Sequence, residues 1–167
     1  KKLDIVSAFE AWGEHVSGKL KKNDFDCIIK NACPGAGACG GMYTANTMAS
    51  AIEVMGFTLP NNSSTPAVSS EKLNDINRIG GAMKNLIDLD LKPLDIISKK
   101  SFENAMVLIT ALGGSTNAVL HLLAIAHTAK IDFKLDDFQK ISDKTPFLAD
   151  LKPSGKYLME DLHEVGG

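Results

Sequence analysis

Two cysteines, Cys33 and Cys39, stand in a stretch that otherwise consists almost entirely of glycine, alanine and proline. Residues 33–41 have almost no side chains larger than a thiol, so their backbone is free to adopt positive φ and to approach a ligand closely. A helix is predicted to start at Met42, which would place Cys39 at its entrance. There the partial positive charge of the helix end favours the thiolate, the form that ligates iron or attacks electrophiles. Cys39 is therefore the first candidate metal ligand.

The other two thiols are weaker candidates. Cys33 ranks second, since Pro34 follows it and no predicted helix end faces it, which favours a structural role. Cys27 lies outside the glycine-rich stretch and is predicted to be a core residue. Three cysteines are an odd number, which argues against a disulfide framework and for reduced thiols. An inert, buried thiol is the alternative interpretation of Cys39, and the glycines on both sides weaken it.

The same glycines fit two nucleotide-binding patterns only formally. Gly35, Gly37 and Gly40 have the spacing of the dinucleotide-binding fingerprint. That fold needs a strand before the glycines and another after the helix, with an acidic residue at its end. Here Glu53 lies within the predicted helix and a proline-containing loop follows. A phosphate-binding loop is disfavoured as well, because Gly41 stands where the lysine is required.

A second polar group follows the pair of glycines at 113 and 114. Ser115, Thr116 and Asn117 would place hydroxyls and free backbone N–H groups at a helix start, which is suited to a substrate carboxylate. Plain N-capping explains these three residues equally well. His121, one turn later, is predicted to be a packed core histidine rather than a ligand, because a metal site needs further ligands.

The elements that would position these groups are helices. Apolar residues recur every three or four positions along most of the chain, and no segment shows strong alternation with period two. The short apolar segment 25–30 fits either a strand or a helical turn. The helix after Asn117 is apolar nearly all round, so it is predicted to be central in the core. Predicted helices cover residues 4–20, 42–55, 70–87, 101–112, 115–129, 136–141 and 157–165.

Composition restricts the class of protein. The chain has 167 residues, of which 44% are apolar and 23% charged, as expected for one ordinary globular domain. Its net charge of −2, without long runs of one sign, gives no support for binding to nucleic acid or to a membrane surface. No apolar stretch is long enough to span a bilayer, and the first residues do not resemble a signal peptide. We expect a cytoplasmic location, or an organelle matrix in a eukaryote.

Residues 32–48 closely resemble a known cluster motif. The run Ala-Cys-Pro-Gly-Ala-Gly-Ala-Cys-Gly-Gly-Met-Tyr-Thr-Ala-Asn-Thr-Met is similar to the second-half cluster motif of the dihydroxy-acid dehydratases. The resemblance continues through residues 59–60, 63–67, 111–121 and 150–157, so it covers nearly the whole chain.

The resemblance implies a reaction and its cofactors. In that family a small 2,3-dihydroxy acid loses water to give a 2-oxo acid during the synthesis of valine, isoleucine and leucine. An iron–sulfur cluster, expected to be 2Fe–2S rather than 4Fe–4S, is held by three cysteines with one iron left open as a Lewis acid. Mg²⁺, bound partly by a carbamylated lysine, holds the carboxylate end of the substrate. The family also implies a homodimer.

Residue by residue, Cys39 is the only family ligand that matches this sequence with its motif. The family's Cys-Asp-Lys segment, its Mg²⁺ ligands and its catalytic serine have no counterpart in residues 1–167. We therefore expect a single internal fragment, without catalytic residues, of the cluster-binding N-terminal domain. The parent domain is expected to be α/β, and this fragment predominantly α-helical with few or no strands. The fragment alone is predicted to be inactive.

Two alternatives to this function are open. One is a sugar-acid or phosphogluconate dehydratase of the same superfamily, and residues 42–46 and 59–60 favour the branched-chain type over it. The other is a structural or binding module without catalysis, in which Cys39 is an inert thiol.

Overall fold

A computed structural model describes residues 3–33 and 35–167, and helices dominate both ranges. Between Leu151 and Tyr157 there is one isolated parallel bridge, and the described residues contain no longer strand pairing. The predominantly helical prediction is therefore confirmed. The helices in the described ranges are α1 (Ile5–Val16), α2 (Lys22–Asn31), α3 (Thr44–Val54), α4 (Ser70–Asp88), α5 (Pro93–Ile96), α6 (Lys99–Ala111), α7 (Asn117–Thr128), α8 (Leu135–Ser142) and α9 (Met159–Glu164).

The chain divides between Ala36 and Gly37 into two compact units. The first unit contains α1 and α2. Phe25 of α2 stacks on His15 at a centroid distance of 4.8 Å and lies 5.9 Å from the ring of Trp12. These contacts join the two helices. The sequence left open whether residues 25–30 form a strand or a helical turn, and in the structure they are part of α2.

The core of the second unit is built around α6, which packs on α3 and α8. Ser98 begins α6, and its hydroxyl accepts a hydrogen bond from the Ser101 N–H at 3.2 Å, as a helix N-cap requires. From there the buried residues recur with the helical period along one face. They are Ser101, Phe102, Ala105, Met106 and Ile109. Burial of the apolar members of this stripe against neighbouring helices stabilises the unit.

Helix α7 contributes to the main core, as predicted, but through one buried stripe and not on all sides. Ala118, Leu122 and Ala126 are buried at successive turns, whereas Leu120 is 67% exposed. His121 lies outside the stripe and is exposed, so the prediction of a packed core histidine was wrong. The apolar composition of a helix does not say which of its faces is covered, and here α3 and α8 cover only one.

The second unit also contains another, smaller core. It contains the buried side chains of Met42, Leu151 and Met159, with Leu112 and Leu162 packed on them. This core joins the residues that follow the glycine-rich stretch to the last part of the chain.

Leu122 gives a direct test of the core. We expect Leu122→Asp to lower the free energy of unfolding by more than about 4 kcal/mol, because it places an unpaired charge in a fully buried position. Thermal or urea unfolding followed by circular dichroism measures this. Leu120→Asp on the exposed face of the same helix is the control, with an expected change within about 0.5 kcal/mol. Equal effects of the two substitutions would contradict the burial pattern of α7.

Candidate cysteine site

Cys39 lies in an irregular segment before α3 and is half-buried. The helix begins at Thr44, with Tyr43 as its N-cap residue, so the predicted start at Met42 was wrong. Residues 40–43 separate Cys39 from the first turn of α3.

The reason for the late helix start is the position of Met42. Its side chain is fully buried in the smaller core, and its N–H donates to the carbonyl oxygen of Lys152 at 2.6 Å. The backbone before Thr44 therefore follows the segment 150–159 instead of the helix axis.

Asn46, in the first turn of α3, fastens the cysteine segment from one side. Its Nδ2 donates to the carbonyl oxygen of Cys39 at 3.0 Å and to that of Gly41 at 2.7 Å. A side-chain amide has two N–H donors, and both are used on the same short segment. The backbone on either side of Gly40 is thus held to α3.

The C-terminal part of the chain holds the segment from the other side. The Met159 N–H, at the start of α9, donates to the Gly40 carbonyl oxygen at 2.7 Å. Gly40 also lies against the side chain of Leu158, which a Cβ on residue 40 would meet at 3.4 Å. The carbonyl oxygens of residues 39, 40 and 41 therefore all accept hydrogen bonds, from either Asn46 or Met159.

Steric crowding requires glycine at position 41. A Cβ at this position would lie 2.7 Å from the Tyr43 ring and 2.9 Å from the carbonyl oxygen of Lys152. Both distances are shorter than Cβ contacts in proteins, and the second involves backbone that cannot move aside. Any larger residue would push the segment away from Lys152.

A polar cluster joins the start of α3 to the start of α7. The Ser115 N–H donates to the hydroxyl of Thr47 at 2.9 Å, and Asn117 Nδ2 donates to the hydroxyl of Thr44 at 2.9 Å. The structure thus brings two of the three candidates after the glycine pair, Ser115 and Asn117, to the helix that follows Cys39. Thr116 is exposed, and it is the N-cap residue of α7 without a side-chain capping bond.

The hydrogen bonds in this cluster favour helix capping over anion binding. The Asn117 N–H donates to the Ser115 hydroxyl at 3.2 Å, and the Ser115 N–H is used by Thr47. Two of the N–H groups that were candidates for a substrate carboxylate therefore have protein acceptors. The cluster fixes how α7 meets α3.

The other two cysteines lie in the first unit. Cys33 is exposed and follows the C-terminal end of α2. Cys27 is exposed on α2, so the prediction of a core residue was wrong. Its carbonyl oxygen accepts a hydrogen bond from Asn31 at 2.8 Å. Helix α2 has no buried residue, because its charged and amide side chains leave no wide apolar face.

Within residues 3–33 and 35–167, no group of three or more His, Cys, Asp or Glu side chains could hold a metal ion. A metal ion or cluster with three such protein ligands would need at least one of them from outside the described residues. Sequence reasoning found Cys39 and the residues after Gly114, but it missed Thr44, Asn46 and Thr47. Their signal was three polar residues within the first four positions of a helix that is mainly apolar after them.

Comparison with known proteins gives the family. Residues 1–167 match the model of the dihydroxy-acid/6-phosphogluconate dehydratase N-terminal domain. The chain belongs to this family. It is also similar along its whole length to proteins named dihydroxy-acid dehydratase.

Three of these relatives show the extent of the similarity. The protein of Francisella tularensis subsp. novicida is 60% identical over 167 residues, which are 100% of this chain and 30% of the relative. That of Flavobacterium psychrophilum is 62% identical over 165 residues, 99% of this chain and 30% of the relative. A mitochondrial protein of Penicillium brasilianum is 56% identical over 167 residues, 100% of this chain and 28% of the relative. The chain thus spans about 30% of the length of the relatives it matches.

The fastening by Asn46 can be tested on its own. We expect Asn46→Ala to lower the free energy of unfolding by about 1–3 kcal/mol, since two carbonyl acceptors lose their donor. We also expect faster hydrogen exchange at the Met42 N–H. Asn85→Ala, at an exposed position of α4, is the control and should change neither quantity. Unchanged exchange at Met42 in Asn46→Ala would show that residues 39–42 do not depend on Asn46.

Proposed function

We propose that this chain is part of a hydro-lyase that dehydrates 2,3-dihydroxy acids to 2-oxo acids in branched-chain amino-acid biosynthesis. The observation that carries the proposal is the 56–62% identity, over essentially the full chain, to relatives that bear the name dihydroxy-acid dehydratase. The held segment around Cys39 supports it, because a metal ligand works only if its backbone has one fixed position.

In this proposal Cys39 is one thiolate ligand of an iron–sulfur cluster, and 2Fe–2S is the expected type. The half-buried thiol lies on a segment whose carbonyl groups are already hydrogen-bonded, so the sulfur is the group left to bind iron. Such a cluster supplies a Lewis acid for the departing hydroxyl group. Asn46 fixes the Cys39 backbone from α3, and Met159 and Lys152 fix the residues after it. Cys33 is the second candidate ligand.

The remaining parts of the active site are proposed to come from outside this chain. They are the other cluster cysteines, the Mg²⁺ ligands and the catalytic serine of the family. With one ligand of several, residues 1–167 alone are proposed to bind no stoichiometric cluster and to be inactive. The complete protein is proposed to be a homodimer.

The proposed location is the cytoplasm, or an organelle matrix in a eukaryote. Two fungal relatives carry the word mitochondrial in their names. In the described part of the chain, no helix is both long enough and apolar enough to cross a bilayer.

A second candidate function is the dehydration of 6-phosphogluconate or another sugar acid. The name of the matching family model includes both substrate types, whereas the three relatives described above bear only the first name. Turnover of 2,3-dihydroxyisovalerate and of 6-phosphogluconate by the complete protein separates the two. Activity on 6-phosphogluconate alone would reverse the order of the two candidates.

Cysteine substitutions in the complete protein test the ligand assignment. Cys39→Ser should lose the cluster and the activity together, because an alcohol is a poor substitute for a thiolate on iron. Cys33→Ser, the matched control, should retain most of both. The measurements are iron and sulfide content, visible absorption and turnover of 2,3-dihydroxyisovalerate, all without air. A Cys39→Ser protein with a full cluster and a full rate would refute the assignment.

A further inference from the structure

The loop of residues 61–67, between α3 and α4, is built around one carboxylate. Glu53 Oε1 accepts a hydrogen bond from the Asn61 N–H at 2.6 Å, and Glu53 Oε2 accepts one from the Ser63 N–H at 2.7 Å. Hydrogen bonds to a charged acceptor are stronger than those between neutral groups. Asn61 has a φ of 65°, in the left-handed region that asparagine adopts more readily than most residues. The backbone of the loop therefore turns around the carboxylate.

The position of Glu53 on its own helix is electrostatically unfavourable. Glu53 lies in the last turn of α3, and that turn contains no basic residue. A negative charge is disfavoured at a helix C-terminus, where carbonyl groups without helical partners point outward. The two N–H groups of the loop give the carboxylate the stabilising partners that its helix lacks.

The loop is also bonded within itself and to α9. The Thr65 hydroxyl donates to the Asn61 carbonyl oxygen at 2.7 Å. The Ser64 hydroxyl lies 3.3 Å from Nδ1 of His163 in α9. Ser64 and Thr65 are both buried. These residues are therefore a packed part of the second unit, and a change in the shape of the loop is passed on to what the loop contacts.

Ala67, at the end of this loop, lies against the cysteine segment. A Cβ on Gly37 would be 3.3 Å from the Ala67 Cβ, which is closer than most Cβ contacts in proteins. Gly37 has a φ of 110°, a conformation that side chains rarely adopt. The Ala67 side chain therefore limits where the backbone can lie two residues before Cys39.

We propose that Glu53 is a positioning residue for Cys39. Its carboxylate holds the loop in the conformation that places Ala67 against Gly37, and this contact limits the movement of the Cys39 sulfur. Asn46 holds the cysteine segment from the first turns of α3, and Glu53 acts on it from the last turn. The inference deepens the proposed function, and it rests on that function only for the role of Cys39 as a cluster ligand.

Alkylation of Cys39 in the complete protein, freed of its cluster by a chelator and a reductant without air, tests the proposal. Glu53→Gln keeps the shape of the side chain, but it removes the charge and turns an amide donor toward a backbone N–H. We expect Cys39 to be alkylated at least about twofold faster in this variant, because a loosened segment exposes the half-buried thiol more often. Fragment-ion mass spectrometry distinguishes Cys39 from Cys33. Glu14→Gln, at an exposed position of α1, is the matched control and should leave the rate unchanged.

A double-mutant cycle shows whether Glu53 acts through the loop. Ala67→Gly removes the side chain that faces Gly37, and it should also speed the alkylation of Cys39. In the Ala67→Gly background, Glu53→Gln should then add less than about half of its single effect on the logarithm of the rate, since the two residues act on one path. Ala67 is exposed, so Ala67→Gly tests the contact even if Glu53→Gln does not fold.

The cluster-loaded protein gives a second readout, which a purely stabilising residue would not change. Glu53→Gln should alter the electron paramagnetic resonance spectrum of the reduced cluster, because the geometry at the Cys39 sulfur changes. Glu14→Gln should leave that spectrum as it is in the wild-type protein.

Three results would overturn the proposal. The first is a Glu53→Gln protein that is less stable but has the wild-type rate of Cys39 alkylation and the wild-type spectrum, which would leave Glu53 with a structural role alone. The second is a wild-type alkylation rate in Ala67→Gly, and the third is full additivity in the cycle. A complete protein without cluster and dehydratase activity would contradict the proposed function instead. The alkylation rates would still be measurable in it, so the two failures are distinguishable.

Discussion

The close approach of Met42 to Lys152 is the constraint on which the cysteine segment depends. The hydrogen bond between the Met42 N–H and the Lys152 carbonyl leaves no space for a side chain on Gly41. It also brings Met42 into the smaller core and delays the start of α3 until Thr44. Together with the bonds from Asn46 and Met159, this backbone contact determines the position of Cys39 relative to α3.

Helix α3 connects the cysteine segment to the rest of the second unit. Ala51 and Met55, on its buried side, belong to the main core. In its first turns, Thr44 and Thr47 contact the start of α7, and Asn46 contacts the cysteine segment. Since one rigid helix makes all these contacts, displacement of α3 would move the cysteine segment and the polar cluster at the start of α7 together. This coupling gives a physical reason for the three polar residues within the first four positions of the helix.

The sequence predicted the helices well where the apolar period was clear, as in α4 and α6. It failed where tertiary contacts decided the outcome. Nothing local to Met42 indicates that its N–H binds a residue more than a hundred positions away. The composition of α7 likewise could not show that only the face with Leu122 is covered. The glycine-rich motif identified Cys39, but its support by Asn46 required the three-dimensional arrangement of donors and acceptors.

The hydrogen bond from the Met159 N–H to the Gly40 carbonyl affects when the cysteine segment can reach its final structure during synthesis. The two residues are 119 positions apart (159 − 40), so this contact is long-range in the sense that slows folding. While a ribosome is still making residues 140–150, the whole cysteine motif has been synthesised, but its partners Lys152 and Met159 do not yet exist. The nascent thiol is then attached to a glycine segment that only Asn46 can hold. The backbone contacts of the cysteine segment are therefore completed only after Lys152 and Met159 have been synthesised.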